Sequence, residues 1–289
     1  MKIAIFSGKG GTGKSSVVSS LACGMEGKRL VLADTDVDCP NQHLLFTGKT
    51  IRKKRLHVSE TAVFDDNGIA PSICPEVCRF DAIRIVNKKA VIDKVKCEGC
   101  GACVLAYPEA LRLVPKFSGE IIVRKTPDFH LIYGKLEPGE SGSGKVVFEV
   151  KKIADEIAKR EKAELIIVDA PAGIGCPVIA AITGCDYAIG IVEPTPASIA
   201  NLERALEVVK HFNIPYSIVI NKKGISGLHE KIIRKKFGKT VIAEIPYDEE
   251  IPGLLARGIA PIKGRGDGAK YLKKAVGNIE KLVEDRNEI

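Results

Sequence analysis

The chain opens on KIAIF (2–6), a short unbroken apolar run of the kind that forms a buried strand, and GKGGTGKSS (8–16) follows it directly. Val17, Val18, Leu21 and Ala22 then recur at helical spacing, so the pattern predicts strand, glycine loop, helix. Similar apolar runs return in LVLAD (30–34), EIIVRK (120–125), LIIVDA (165–170) and VIN (219–221), each leading into a polar or glycine-rich turn. At the far end, Tyr271, Leu272, Ala275, Val276, Ile279, Leu282 and Val283 trace one face of an amphipathic helix. Its acidic EDRNE end and lack of large aromatics suit core packing better than a membrane surface.

The first loop carries chemistry. Gly8 to Ser15 has the G-x4-G-K-S spacing of a P-loop in the strand–loop–helix context that motif requires. Glycines at Gly8, Gly10, Gly11 and Gly13, with Thr12, Ser15 and Ser16, let backbone N–H groups surround phosphate oxygens at a helix N-terminus. Lys14 is expected at the β and γ phosphates, and the Ser15 hydroxyl on magnesium. A second match, GESGSGKV (139–146), has Val146 where the magnesium-binding hydroxyl belongs, and LEP (136–138) precedes it where a buried strand should enter. It reads as a flexible loop before a helix over 146–160.

A lysine directly after the first glycine, Lys9 in KGGTGKS, resembles the deviant P-loop of the MinD, ParA and Mrp ATPases. Other stretches fall in that family's order over residues 1–62 and 118–289. LVLADTDVDCPN (30–41) is similar to a second strand and first switch, LIIVDAPAGIG (165–175) to a Walker B strand and second switch, and VINKKG (219–224) and EIPYDEEI (244–251) to the base-binding ends. The resemblance implies a doubly wound, mostly parallel α/β sheet binding ATP and magnesium. It gives Asp34, Asp36 and Asp169 to the ion and the attacking water, and Asn221, Pro246 and Asp248 to the base. It names Lys9, Lys14 and Asp36 as catalytic and implies a homodimer closed around ATP, with Lys9 reaching the opposite subunit's γ phosphate. Read singly, Asp36 and Asp38 could cap a turn before Pro40, and Asp169 could simply end a strand.

Residues 63–117 are extra to such a fold. Cys97, Cys100 and Cys103 have the C-x2-C-x2-C spacing of a bacterial ferredoxin run, with Tyr107 where the fourth cysteine belongs. ICPEVCRFDAIRIV (73–86) and ACVLAYPEALRLV (102–114) form an internal repeat that sets Cys78 against Tyr107, Cys74 against Cys103, Gly68 against Cys97 and Pro71 against Cys100. In two-cluster ferredoxins the fourth cysteine of each run ligates the other cluster, so Cys78 is expected to join Cys97, Cys100 and Cys103 on one 4Fe-4S cluster. The other half keeps too few thiols for a second cluster. Zinc is the competing metal, because four thiolates also suit a tetrahedral ion. As a whole the chain resembles MinD-superfamily ATPases with an inserted ferredoxin-like domain. It departs from them in the missing cluster, and from Mrp carriers in lacking a C-terminal C-x2-C.

Composition narrows the rest. The 289 residues are 45% hydrophobic with no eighteen-residue apolar run, and the N-terminus does not read as a signal peptide, so a cytoplasmic protein is expected. In that compartment nine cysteines point to metal more than to disulfides, with Cys23, Cys39, Cys176 and Cys185 expected as buried structural residues. The net charge of +8 sits in bursts (Arg52–Arg55, Arg234–Lys236, Lys270–Lys274) expected to be solvated faces, and 5% aromatics give little material for base stacking. Three functions fit: an ATPase coupled to the cluster for electron transfer or cluster handling with a redox or iron-sulfur protein partner; a MinD/ParA-like positioning ATPase on a membrane or DNA, with the cluster as redox sensor; and a sensor that keeps nucleotide only structurally. The cysteine run favours the first, with no nucleic acid or membrane partner expected.

Overall fold

The structure is a computed structural model that describes residues 1–25, 27–65, 74–87, 89–140 and 143–287. Along the chain the strands are β1 (Lys2–Ser7), β2 (Leu30–Asp34), β3 (Lys49–Leu56), β4 (Ser59–Phe64), β5 (Ile83–Val86), β6 (Lys89–Ile92), β7 (Leu111–Lys116), β8 (Gly119–Lys125), β9 (His130–Leu136), β10 (Leu165–Ala172), β11 (Tyr187–Val192), β12 (Tyr216–Lys223) and β13 (Val241–Pro246). The α-helices are α1 (Lys14–Gly24), α2 (Gln42–Leu45), α3 (Ala102–Ala106), α4 (Ser143–Glu161), α5 (Cys176–Ile182), α6 (Pro196–His211), α7 (Gly227–Phe237), α8 (Glu250–Ala256) and α9 (Asp267–Asn287). They divide into two compact units, Met1–Lys53 with Ile121–Lys135 and Ser143–Ile289, and Lys54–Glu120 with Leu136–Gly142.

The large sheet runs in the order β13-β12-β11-β1-β10-β2-β9-β8-β3, and its strands from β13 to β9 are parallel. Parallel strands joined through helices are covered on both faces, which explains their unbroken apolar runs. Ile3, Ile5, Leu32, Ile167 and Ile189 join a core with Val17, Val18 and Leu21 of α1 and Leu272, Val276 and Ile279 of α9. The alternate residues Ala4, Phe6, Ala33, Val168 and Ala188 are equally buried. The last helix therefore packs its apolar face into the core, as its composition suggested. Gly190 lets the opposite layer close, since a Cβ there would lie 2.9 Å from Leu202 and 3.2 Å from the Phe6 ring.

One expectation fails here. A buried strand does precede the second G-x4-G-K stretch: β9 ends at Leu136, and α4 begins at Ser143 rather than 146. Residues 141 and 142 of that loop lie outside the described residues. Val146 still offers no hydroxyl to magnesium, and its side chain is fully buried in α4 beside Gly134.

The second unit pairs β4 with β7 and β5 with β6, both antiparallel. Each half of the repeat is a short helical turn followed by a strand, Cys74–Val77 before β5 and α3 before β7. Gly68 and Pro71, and the Cys74 side chain, lie outside what is described.

Ile167, fully buried in a central strand, should cost about 3 kcal/mol when truncated to alanine, read from denaturant midpoints. Glu244 is held at a pKa of about 2 by its hydrogen bond from Arg234, against some burial, with Lys223 assisting. Its depressed pKa stabilises the fold above the ordinary carboxylate range, and that contribution fades as pH falls from about 4.5 toward 2. Both cations are 41% exposed, so Glu244→Gln should lose only about 1 kcal/mol at pH 7, with the gap to wild type closing in acid.

Candidate functional site

At the C-terminal end of β1 the chain turns through the glycine loop into α1 and bounds a cavity of about 380 Å³. Open parallel sheets bind ligands at this edge, where β1 sits between β10 and β11 and the chain crosses to either side. Two glycines are dictated by space. A Cβ on Gly8 would lie 2.2 Å from the Asn201 backbone, and one on Gly13 would lie 2.0 Å from Asn221 Nδ2 at a φ of 88°. Gly13 thus turns the chain left-handed at the N-cap of α1, leaving the first helical N–H groups directed at the cavity.

Beneath the loop, register pairs Asp169 of β10 with Asp34 of β2, and both are fully buried. Asp169 accepts from Lys14 through Oδ1 and from Gln42 Nε2 through Oδ2 at 2.7 Å. Asp34 Oδ2 accepts from the Asn41 and Gln42 backbone N–H groups at 2.9 and 3.0 Å, and its Oδ1 from Asp36 N–H at 3.2 Å. Burial, then repulsion from Asp169, pushes the Asp34 carboxyl up to about 7 despite those bonds and Lys14. Burial also raises Asp36, which borders the cavity. Asn41 Nδ2 donates to Ser15 Oγ at 3.1 Å, while Asn41 Oδ1, Gln42 Oε1 and Thr12 Oγ1 are buried with no protein partner. A buried, carboxylate-rich site with spare oxygen acceptors fits a hard dication and its water.

Gly10, Gly11, Thr12, Gly13, Lys14, Ser15, Ser16, Asp36, Asn221, Pro246 and Asp248 all line this cavity. Asn221 spends its amide on the Thr12 carbonyl at 2.8 Å, and Asp248 accepts from the Glu250 and Gly268 N–H groups at 2.8 and 2.7 Å. Lys9 does not line it; its ammonium lies 2.6 Å from Glu193 Oε1. Asn41, Gln42, Glu193 and Lys222 were not expected at the site, although Asn41 closes the first-switch stretch with Gln42 next to it and Glu193 stands in VEPTP (192–196).

The pattern of the CobQ/CobB/MinD/ParA nucleotide binding domain matches residues 3–262. The chain belongs to that family. An uncharacterized protein of Methanocaldococcus jannaschii is 38% identical over 286 residues, covering 98% of each chain. By fold the chain is similar to the septum site-determining protein MinD of Pyrococcus horikoshii complexed with Mg-ADP (TM-score 0.62, 19% identity, 97% and 96% covered). It is similar also to the Cyanothece McdA(D38A)–ATP complex (TM-score 0.59, 15% identity, 97% and 95% covered). It is a P-loop nucleotide-binding ATPase of the MinD/ParA type, and among its described residues no helix is long and apolar enough to cross a membrane.

This family member carries a second feature, in its other unit. Cys78, Cys97, Cys100 and Cys103 line one small cavity with Ala62, Phe80, Ala82, Ile83 and Leu113. Gly99 (φ 63°) and Gly101 (φ 79°) wind the cysteine loop, and a Cβ on Gly99 would lie 2.4 Å from the Glu60 carbonyl oxygen. Backbone N–H groups of Ala62 and Ala82 donate to Cys97 and Cys78 Sγ at 3.4 and 3.3 Å. Burial raises the Cys97 thiol, but the Ala62 N–H and its neighbours outweigh it and bring the net pKa down. Burial, then the neighbouring Cys97 charge, raises Cys103. Among the described residues no three His, Cys, Asp or Glu side chains converge as a single bound metal ion requires. Two expected buried cysteines are exposed: Cys39 lies on the first-switch turn and Cys176 at the start of α5. Cys185 is buried as expected and Cys23 partly so.

Lys14→Ala should strip Asp169 of the one cation paired with it among the described residues, in a fully buried site, destabilising the protein measured without nucleotide by about 3 kcal/mol. Adding Asp169→Asn should recover part of that loss in thermal melts, because the uncompensated charge goes with it.

Proposed function

We propose that this ATPase requires magnesium, closes as a homodimer on ATP, and couples that cycle to one 4Fe-4S cluster in its second unit, for electron transfer or iron-sulfur handling in the cytoplasm. In the first unit Lys14 exchanges Asp169 for the β and γ phosphates, and the N–H groups of Gly10 to Ser15 surround them. Ser15 with Asp34, Asp36 and Asp169 would hold magnesium, which supplies charge neutralisation on the phosphates. Asp36 borders the cavity where it can orient the attacking water, while Asn221, Pro246 and Asp248 border the base. Lys9 acts on the opposite subunit's γ phosphate.

The cluster is supported by one observation above the rest: the run Cys97, Cys100, Cys103 and the distant Cys78 line the same cavity. Thiols among mostly apolar neighbours, two of them receiving backbone N–H bonds, are the donor set such a cluster takes. The strand order also supports it, since the outer strands of the unit pair with each other and the inner two likewise. The cluster would supply one-electron chemistry, and a redox or iron-sulfur protein would be its partner.

The fold similarity to MinD and McdA favours a second reading, a positioning ATPase acting on a membrane or DNA with the cluster as redox sensor. ATP-dependent co-sedimentation with liposomes or DNA would select it.

Anaerobically purified protein should carry about four irons per chain. Cys78→Ala should lose the cluster or keep a three-iron form, whereas Cys74→Ala should retain full iron and an unchanged low-temperature electron paramagnetic resonance spectrum. Zinc in place of iron, or loss in Cys74→Ala alone, would contradict this ligand set.

A further inference from the structure

Glu193, just beyond β11, is 5% exposed yet anchors two lysines. Lys9 Nζ lies 2.6 Å from Oε1 and Lys222 Nζ 2.7 Å from Oε2. Lys222 Nζ also donates to the Gly11 carbonyl at 2.6 Å, tying the carboxylate to the phosphate loop, and Thr195 Oγ1 adds a contact to Oε1 at 3.4 Å. Lys222 keeps a φ of 55°, a left-handed backbone that a side chain adopts at a cost. The carboxylate therefore has one cation more than its charge needs. Each lysine is about a third exposed, so either can swing away into solvent or toward a partner.

A buried carboxylate stripped of its only cation keeps the full penalty of desolvation, so a lysine held by a private partner is hard to release. A shared carboxylate behaves differently. The second cation remains, and repulsion between the two ammonium groups weakens the hold on each.

We propose that Glu193 is the positioning residue for Lys9, parking it against its own protomer until the opposite subunit's nucleotide competes for it, while Lys222 keeps the carboxylate paired after Lys9 leaves. This rests on the reading of Lys9 as a residue that acts across the dimer. It adds that the resting place of Lys9 sets how readily the dimer closes.

The two lysine partners then have opposite effects. With a non-hydrolysable ATP analogue and magnesium, sedimentation velocity should give Glu193→Gln a dimer dissociation constant about tenfold lower than wild type, because Lys9 is no longer held. Lys222→Met should raise that constant about tenfold, because Glu193 then has Lys9 alone. In a Lys9→Ala background Glu193→Gln should change nothing. Melting temperatures establish that each variant is folded. A merely structural salt bridge would weaken the dimer in both variants and persist without Lys9. That result, or an unchanged constant in Glu193→Gln while wild type dimerises, overturns the parking role alone. A wild-type protein that stays monomeric with the analogue overturns the dimer reading and this inference together.

Discussion

Two carboxylates, Asp34 at the end of β2 and Asp169 beside it within β10, have no exposure to water, and among the described residues one ammonium, Lys14, is paired at their site. Left alone, such a pair would not stay ionised in a protein interior. The surrounding structure answers that constraint. Backbone N–H groups of the first switch converge on Asp34, Gln42 reaches Asp169, and burial still drives Asp34 up to about 7. A site short of positive charge and holding unpartnered oxygens is prepared for a dication, while the loop N–H groups above it are prepared for phosphate. The same shortage of positive charge draws Lys14 onto Asp169.

Much of this was legible in the chain. The glycine loop could be read because its geometry demands glycine: Gly8 meets a helix backbone, and Gly13 must turn left-handed. Asp34 and Asp169 could be read because each follows an apolar run and neighbouring parallel strands bring such positions together, although β10 continues past Asp169 to Ala172. Gln42, Glu193 and Lys222 could not, since their contacts to Asp169, Lys9 and Gly11 span 127, 184 and 211 residues, and neither their types nor the 29-residue spacing of Glu193 and Lys222 marks a pair. The strand before the second glycine stretch was missed because LEP looked like its approach, whereas β9 ends at Leu136, with the connection to α4 only beginning there. Cys39 and Cys176 were misplaced for another reason. Cysteine's usual burial is a weaker influence than a switch turn or a helix start that faces outward.

In the second unit the spacing of the cysteine run and the repeat around it lead to the same residues as the folded cavity. Gly99 and Gly101 supply left-handed turns in the loop of Cys97, Cys100 and Cys103, and Cys78 from the other half of the repeat lines the same small cavity. In both units glycines in left-handed conformations wind a short loop beside the candidate site, Gly11 and Gly13 in one and Gly99 and Gly101 in the other.

Phosphate release from ATP by the purified full chain, followed over a range of protein concentrations with magnesium and with a chelator, tests the central claim most directly. Hydrolysis is expected to require magnesium, with a specific activity that rises with protein concentration as dimers assemble. Release that persists with the chelator, or a specific activity independent of concentration, would contradict it.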